Sequence, residues 1–198
     1  MSKRVMTAVL GLVLANVALT TAALAAGPMP TDVKGEILMF IAGAEDKLNQ
    51  LAEAIPESKY TWRPMEGVRS PAEVFMHVAA ANYGIPSFWG VKPPEGFDFQ
   101  TYEKSRTKKA DIQKALEASF VHVKNALAAA SDADLEKATE FFGMKTNVRG
   151  GYMLLLSHAH EHLGQMIAYA RMNGVVPPWT AAENAREAAE AAKKKSGT

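Results

Sequence analysis

The chain has 198 residues, of which 48% are hydrophobic and 22% are charged, a composition that predicts one globular domain with a sizeable core. Its 22 basic and 21 acidic residues nearly balance, which argues against nucleic acid as the main partner, because phosphate binding needs a basic surface. The absence of cysteine excludes disulfides, thiolate metal ligands, a cysteine nucleophile and covalent haem attachment.

The first 25 residues have the features of a secretory signal peptide. Lys3 and Arg4 form a basic start, residues 5–23 carry no charge, and Ala23-Leu24-Ala25 is a small-residue cleavage site. An uncleaved membrane anchor is the alternative, but the cleavage site favours removal. The expected product is a periplasmic or secreted protein without a stable membrane span. Losing Lys3 and Arg4 reduces the basic residues from 22 to 20 against 21 acidic ones, a net charge of −1.

Four long stretches have the hydrophobic spacing of helices, and they cover residues 32–55, 71–89, 109–130 and 147–173. No strand of any length is predicted, and residues 131–143 are expected to hold a short helix followed by an irregular or extended connection. Four such helices predict an all-α fold, a four-helix bundle over residues 32–179 with up-and-down or crossover connections. The Ala- and Lys-rich residues 180–198 have few apolar anchors and predict a weakly ordered helical tail.

The second helix begins with a strong start signal and carries His77 in its second turn. Ser70 is the predicted N-cap, Pro71 the first helical residue, and Glu73 completes a capping box. The face of His77 includes small residues, which allow another helix to approach or leave a cavity beside the imidazole; these are Ala80, Ala81 and Gly84. His77 is therefore either a ligand or a core histidine bonded to a carbonyl group.

Several other side chains are assigned structural positions. Trp62, in the loop before the second helix, is predicted to be a packing anchor. His122 lies off the apolar face of the third helix and is predicted to be solvated. Phe141 and Phe142, in the connection before the fourth helix, are predicted to cover the core.

The fourth helix contains three histidines within five residues. His158 and His162 are four positions apart and project from one face, whereas His160 is turned away from both. Neutral imidazole is the commonest protein ligand for divalent transition metals, so this pair supplies half of a coordination shell. The third ligand must come from elsewhere, and the bundle brings His77 within reach.

A cluster of His77, His158 and His162 favours a bound metal, because charging any imidazole in a buried trio would be costly. Three imidazoles leave a fourth position open, as in catalytic zinc sites, although nickel or iron would also accept these ligands. Glu161 and Gln165 flank the same face, and either could orient a ligand or contact bound water. For Glu161, a solvated or interhelical charge is the alternative.

Three motifs occur in a recognisable order along the chain. They are Trp62-Arg63-Pro64, the run from Arg69 to Ala79 that contains His77, and the H-x3-H-x-G-Q pattern from His158 to Gln165, with Gly174 and Pro177-Pro178 after them. In this order they resemble the DinB-like (damage-inducible) metalloprotein superfamily over residues 32–179. The resemblance implies a four-helix bundle, often a homodimer, that binds a divalent metal through His77, His158 and His162.

The resemblance also implies candidate activities. Better-studied members are thiol-dependent transferases or isomerases that activate a low-molecular-weight thiol on the metal, and many have no known activity. Here Leu163 stands where the family often has a basic residue, and those thiol cofactors are cytosolic. The sequence therefore predicts an exported metal-dependent enzyme, of hydrolase or thiol-transferase type, with zinc as the leading metal and a small-molecule substrate. The alternatives are a non-catalytic metal-binding or interaction bundle and a bundle without metal.

Overall fold

A computed structural model describes residues 29–196, and the predicted signal peptide lies outside this range. In chain order the elements are α1 (Val33–Ala54), α2 (Pro71–Gly84), α3 (Phe99–Tyr102), α4 (Lys109–Ala129), α5 (Asp132–Leu135), β1 (Ala138–Phe141), β2 (Met144–Asn147), α6 (Val148–Met172) and α7 (Pro178–Ser196). Short 3-10 helices cover Glu57–Lys59 and Ile85–Trp89. The helices α1, α2, α4 and α6 confirm the four predicted long helices.

The four long helices pack in an order that differs from their order in the chain. Helix α1 packs against α4 and α6, and α2 packs against the same two helices. Consecutive helices α1 and α2 therefore lie diagonally opposite each other, so the bundle is of the crossover type. Their apolar faces form one core, whose largest fully buried side chains include Leu48, Leu51, Phe75, Leu116, Phe120 and Tyr152. Because α2 and α6 are neighbours, histidines on both helices can meet.

The start of α2 has the predicted capping box. The Ser70 hydroxyl accepts from the Glu73 backbone N–H, and the Glu73 carboxylate accepts from the Ser70 backbone N–H at 2.8 Å. Arg63 donates to the same carboxylate at 2.7 Å and is the largest cause of the lowering of the Glu73 pKa to about 2. The α-helix ends at Gly84, and the 3-10 helix Ile85–Trp89 continues to the predicted boundary.

The hairpin β1–β2 is the main departure from the predicted all-α fold. Each strand has four residues, too few for an alternating pattern to be recognised. The two-residue turn consists of Phe142 and Gly143, with φ of 51° and 77°, the pattern of a type I′ turn. Phe141 is buried as predicted. The prediction that Phe142 covers the core is wrong, because at the tip of the turn its side chain is 61% exposed.

Phe142→Asn is expected to raise the free energy of unfolding by about 0.5 kcal/mol, because asparagine tolerates positive φ far better than phenylalanine. The exposed ring contact with Phe88, at a centroid distance of 5.2 Å, offsets part of the gain. Urea unfolding measures the change, and Phe141→Asn is the matched control. The control should be strongly destabilising because it places an amide in the core. A loss of stability in Phe142→Asn would contradict the expectation.

Helix α6 begins at an asparagine N-cap and ends at a glycine. The Asn147 side chain accepts from the Gly150 N–H at 2.9 Å, and the chain leaves the helix through Gly174, with φ of 75°, at the predicted stop. At Gly151 a Cβ atom would clash with the Trp89 ring. The lack of a side chain therefore allows the Ile85–Trp89 turn to lie directly on α6.

The C-terminal residues form helix α7, which contacts the bundle at its start. Trp179 packs against the core, and the Lys47 Nζ lies 5.5 Å from the centre of its ring. Residues 181–196 are all exposed. Among residues 29–196, no helix has both the length and the apolar character needed to cross a lipid bilayer.

Candidate metal centre

The three predicted ligands come together between two neighbouring helices. His77 lies in α2, and His158 and His162 lie one turn apart in α6. The Nε2 atom of His158 is 3.1 Å from the Nε2 of His77 and 3.2 Å from the Nε2 of His162. The potential ligand atoms of the three rings all lie within 4.8 Å of one another. Histidines from two distant stretches of the chain therefore lie close together, as the sequence predicts.

The spacing of these nitrogens suits a shared metal ion. Two imidazole nitrogens bound to one tetrahedral zinc at about 2.0–2.1 Å would be separated by about 3.3 Å. The two Nε2 distances from His158, 3.1 and 3.2 Å, are close to this value, and the ligand atoms of all three rings lie within 4.8 Å of one another. They also suit N–H···N hydrogen bonds, so the protonation of each ring decides between the two interpretations.

Hydrogen-bond partners on the far side of two rings fix the tautomer that each neutral ring adopts. The Nδ1 of His77 donates to the Glu103 carboxylate at 3.1 Å, since an ionised carboxylate only accepts. The Nδ1 of His162 donates to the Gln165 carbonyl oxygen at 2.8 Å, and the Gln165 amide is oriented by donating to the Tyr169 hydroxyl at 2.9 Å. In both neutral rings the Nε2 atom therefore presents a lone pair to His158.

A hydrogen-bonded trio cannot satisfy this arrangement. One Nε2–H on His158 can donate fully to only one of the two lone pairs that face it. A metal cation, in contrast, can accept the lone pairs of all three Nε2 atoms. The His158 Nδ1 is buried and has no hydrogen-bond partner among residues 29–196, so no polar contact orients the ring from its Nδ1 side. The donor set thus fits a metal better than it fits hydrogen bonding alone.

The surroundings of the cluster favour neutral imidazoles. Burial is the main reason that the pKa of His158 falls to about 3, and positive charge on His162, His77 or Arg69 would add to the effect. Burial also lowers the pKa of His77, with a further contribution from Arg69, while Glu103 opposes the shift. Neutral imidazole is the form that binds a metal, so these rings need not lose protons at neutral pH before binding.

The cluster lies at the margin of the core. His162 is 8% exposed, whereas the side chain of His77 is 21% exposed and that of Glu103 is 20% exposed. Trp62 packs edge-on against Tyr169 with ring centroids 5.3 Å apart, which supports its predicted role as a packing anchor. One side of the cluster is therefore enclosed by packed side chains, and His77 is on the solvent side.

The structure separates the other predicted site residues. Gln165 lies against His162, where it can orient a ligand. Glu161 is exposed, and it makes no hydrogen bond or ion pair in the part of the chain that the structure describes. One step along a helix turns a side chain by about 100°, which takes Glu161 away from the face of His162. His160 points away from the other two histidines, as expected; it is exposed and donates from Nδ1 to the Leu156 carbonyl at 3.0 Å.

Two residues of the site were not predicted. Tyr169 is four residues after Gln165 on the same helical face, a spacing that could have identified it. Glu103 is 26 residues from His77 and directly follows the short helix α3, in a stretch without helical periodicity. Gly84 is a partial sequence signal for the docking of α3 on α2, because a Cβ atom at this position would clash with the Phe99 ring. This small residue lets α3 dock on α2 and so brings Glu103 to His77.

His122 requires a correction. Its ring packs against Tyr83 with centroids 5.1 Å apart, and its Nε2 is buried with no hydrogen-bond partner among the described residues. Burial lowers its pKa. The prediction that it is solvated is wrong, because its ring packs on Tyr83, whose own ring also contacts Phe97 and Tyr102.

Comparisons with known proteins agree with this architecture. The sequence model of the DinB superfamily matches residues 41–166. A DinB-like protein from Bacillus cereus ATCC 10987 has a TM-score of 0.64 and 20% identity, covering 72% of this chain and 94% of that chain. YfiT from Bacillus subtilis, described as a probable metal-dependent hydrolase with an unusual four-helix bundle topology, has a TM-score of 0.59 and 14% identity, covering 72% and 88%.

A third structure, the mycothiol-dependent maleylpyruvate isomerase, has a TM-score of 0.56 and 11% identity, covering 67% of this chain and 60% of that chain. No curated protein sequence matches the chain. At these identities the solved structures establish a shared fold. The family match spans well over half of the sequence and confirms the resemblance carried by its motifs, so this chain belongs to the DinB superfamily.

Proposed function

We propose that this protein is an exported metal-dependent enzyme of the hydrolase type, which acts on a small molecule in the periplasm or outside the cell. His77, His158 and His162 would bind one divalent transition metal. The observation that carries the proposal is the convergence of three imidazoles whose ligand nitrogens lie within 4.8 Å of one another, with Glu103 and Gln165 accepting from the Nδ1 atoms of two of them. Zinc suits this set, with nickel or iron as the alternatives.

The residues around the site have separable tasks in this proposal. When bound, the metal would supply Lewis acidity toward water and toward a carbonyl or phosphoryl oxygen. The three histidines would occupy three of the four coordination positions of a tetrahedral metal and leave the fourth for another ligand. Glu103 and Gln165 fix the orientation of two rings through their Nδ1 atoms, which is the usual task of residues behind metal-bound histidines.

Hydrolysis is favoured over thiol transfer by the co-substrate that each reaction needs. Hydrolysis needs only water, which is present wherever the protein resides. A reaction like that of the mycothiol-dependent isomerase needs a low-molecular-weight thiol, and these cofactors are cytosolic, whereas the first 25 residues predict export. The description of YfiT as a probable metal-dependent hydrolase supports the same choice.

The proposal is tested on full-length protein expressed with its own N-terminus and purified without an affinity tag. Its metal content is measured, and small esters, amides and phosphoesters are assayed with and without added glutathione. We expect one equivalent of zinc and thiol-independent hydrolysis that a chelator abolishes and zinc restores. Turnover only with thiol would support a transferase instead. Stoichiometric metal without turnover would support a metal-binding bundle, and absence of metal would end the proposal.

A further inference from the structure

We propose that a cavity beside the tip of the hairpin β1–β2 binds a small organic cation, a protonated amine that carries an aromatic or alkyl group. Four phenylalanine rings surround the apolar part of this ligand, and Asp98 pairs with its charge. The proposal is independent of the metal centre, because His77, His158 and His162 do not line this cavity.

The phenylalanine rings come from two separate parts of the chain and line a cavity of about 420 Å³, a usual size for a small-molecule site. Phe88, in the Ile85–Trp89 turn, contacts Phe142 at the hairpin tip with ring centroids 5.2 Å apart. Phe97 and Phe99 contact each other at 6.4 Å. Phe88, Phe99 and Phe142 are 46%, 45% and 61% exposed, so their apolar surface is open to a ligand.

The backbone at Phe142 points to a role for its ring outside the core. Its φ of 51° suits asparagine or glycine, and a phenylalanine in this conformation destabilises the turn. The exposed ring returns little burial, yet it lines the cavity and contacts Phe88. Backbone strain at a residue that does not serve the core is typical of binding sites.

Asp98 presents one carboxylate oxygen that has no partner in the described chain. Its Oδ1 accepts from the backbone N–H groups of Thr101 and Gln100, both at 2.9 Å, and from the Thr101 hydroxyl at 3.0 Å. These bonds, with that from the Thr101 N–H as the largest cause, lower the pKa of Asp98, so the group is ionised at neutral pH. Oδ1 therefore fixes the side chain, and Oδ2 is free to pair with a ligand.

The charge on the lining selects a cation. Asp98 is the one charged side chain among the described residues that form the cavity. The faces of aromatic rings also carry negative potential, so carboxylate and rings together attract an ammonium group and disfavour an anion. A larger groove that shares Phe97 has no such preference, because two basic and two acidic side chains line it. There Arg106 of the protein itself already covers the Tyr102 ring, at 4.9 Å from its centre.

The test titrates full-length protein with phenethylamine, which is protonated at neutral pH, and follows binding by calorimetry. The neutral counterpart is 2-phenylethanol, and the anionic counterpart is 3-phenylpropanoate. We expect phenethylammonium to bind with a Kd of about 1 mM or tighter and at least about tenfold more tightly than either counterpart. A chelator should leave this affinity unchanged, because the site contains no metal ligand.

Two variants separate the charge from the rings. Asp98→Asn keeps a side-chain oxygen for the N-cap of α3, and it should bind phenethylammonium about tenfold more weakly and 2-phenylethanol unchanged. Asp32→Asn is the matched control, since Asp32 is an exposed N-cap that accepts from the Gly35 N–H at 2.8 Å and does not line the cavity. Phe142→Asn should bind both probes about fivefold more weakly. Because this variant is expected to be more stable than the parent, unfolding would not explain its loss of affinity.

Four results would overturn the proposal. They are no binding of phenethylammonium to the parent, equal affinity for one of its counterparts, loss of binding when the chelator is added, and equal effects of Asp98→Asn and Asp32→Asn. Full affinity in Phe142→Asn would remove the hairpin tip from the site and would equally contradict it. Metal content does not enter any of these measurements, so the proposal can fail or succeed independently of the proposed function.

Discussion

His158→Ala is expected to abolish stoichiometric metal binding. His158 is the central ligand, with its Nε2 within 3.2 Å of the Nε2 atoms of both other histidines, so its removal leaves two imidazoles and no third donor between them. Bound metal at about 1,000 times its Kd adds about 4 kcal/mol to the free energy of unfolding. A chelator should therefore lower the Tm of the parent protein and leave that of His158→Ala unchanged. Elemental analysis and thermal unfolding measure the two effects.

The matched control is His160→Ala. It removes the same side chain from the same helix, at an exposed ring bonded to the Leu156 carbonyl. We expect full metal content and a chelator-sensitive Tm in this variant. Metal retained by His158→Ala, or lost from His160→Ala, would show that the ligand assignment is wrong.

Glu103→Gln is expected to weaken metal affinity by about 10- to 100-fold, the usual effect of losing a hydrogen-bonded carboxylate behind a metal-bound histidine. The neutral amide accepts less strongly from His77 Nδ1, and it leaves the charge of Arg69 uncompensated beside the cluster. Competition with a chromophoric chelator measures the change.

Glu161→Gln is the control for this prediction. It makes the same chemical change at an exposed residue without a hydrogen bond or ion pair in the described chain. Metal affinity should be unchanged. Equal effects of the two substitutions would refute a specific role for Glu103 and would restore Glu161, the residue predicted from sequence, as a contributor to the site.

Local sequence patterns predict the features that depend on the geometry of a single helix. Residues of α1 repeat every three or four positions, and this spacing identified a buried face that the structure confirms at Ile37, Ile41, Leu48 and Leu51. The same geometry places His158 and His162 on one face of α6. Both inferences use only the rotation between residues of one helix.

Features that depend on contacts between distant residues were missed. Periodicity reports which face of a helix is buried but not which helix covers it, so the crossover order of the bundle was left open. Glu103 reaches His77 only because α3 docks where Gly84 leaves space for Phe99. His122 packs against Tyr83 of α2, a contact between two helices that the periodicity of neither helix reveals.

X-ray absorption at the metal edge, on protein purified without a tag, tests the central claim most directly. A metal held by His77, His158 and His162 should show three imidazole nitrogens and one further light atom at about 2.0–2.1 Å. The multiple scattering of the rings counts the histidines. A shell with one imidazole or none, or a six-coordinate shell of oxygen atoms, would contradict the account.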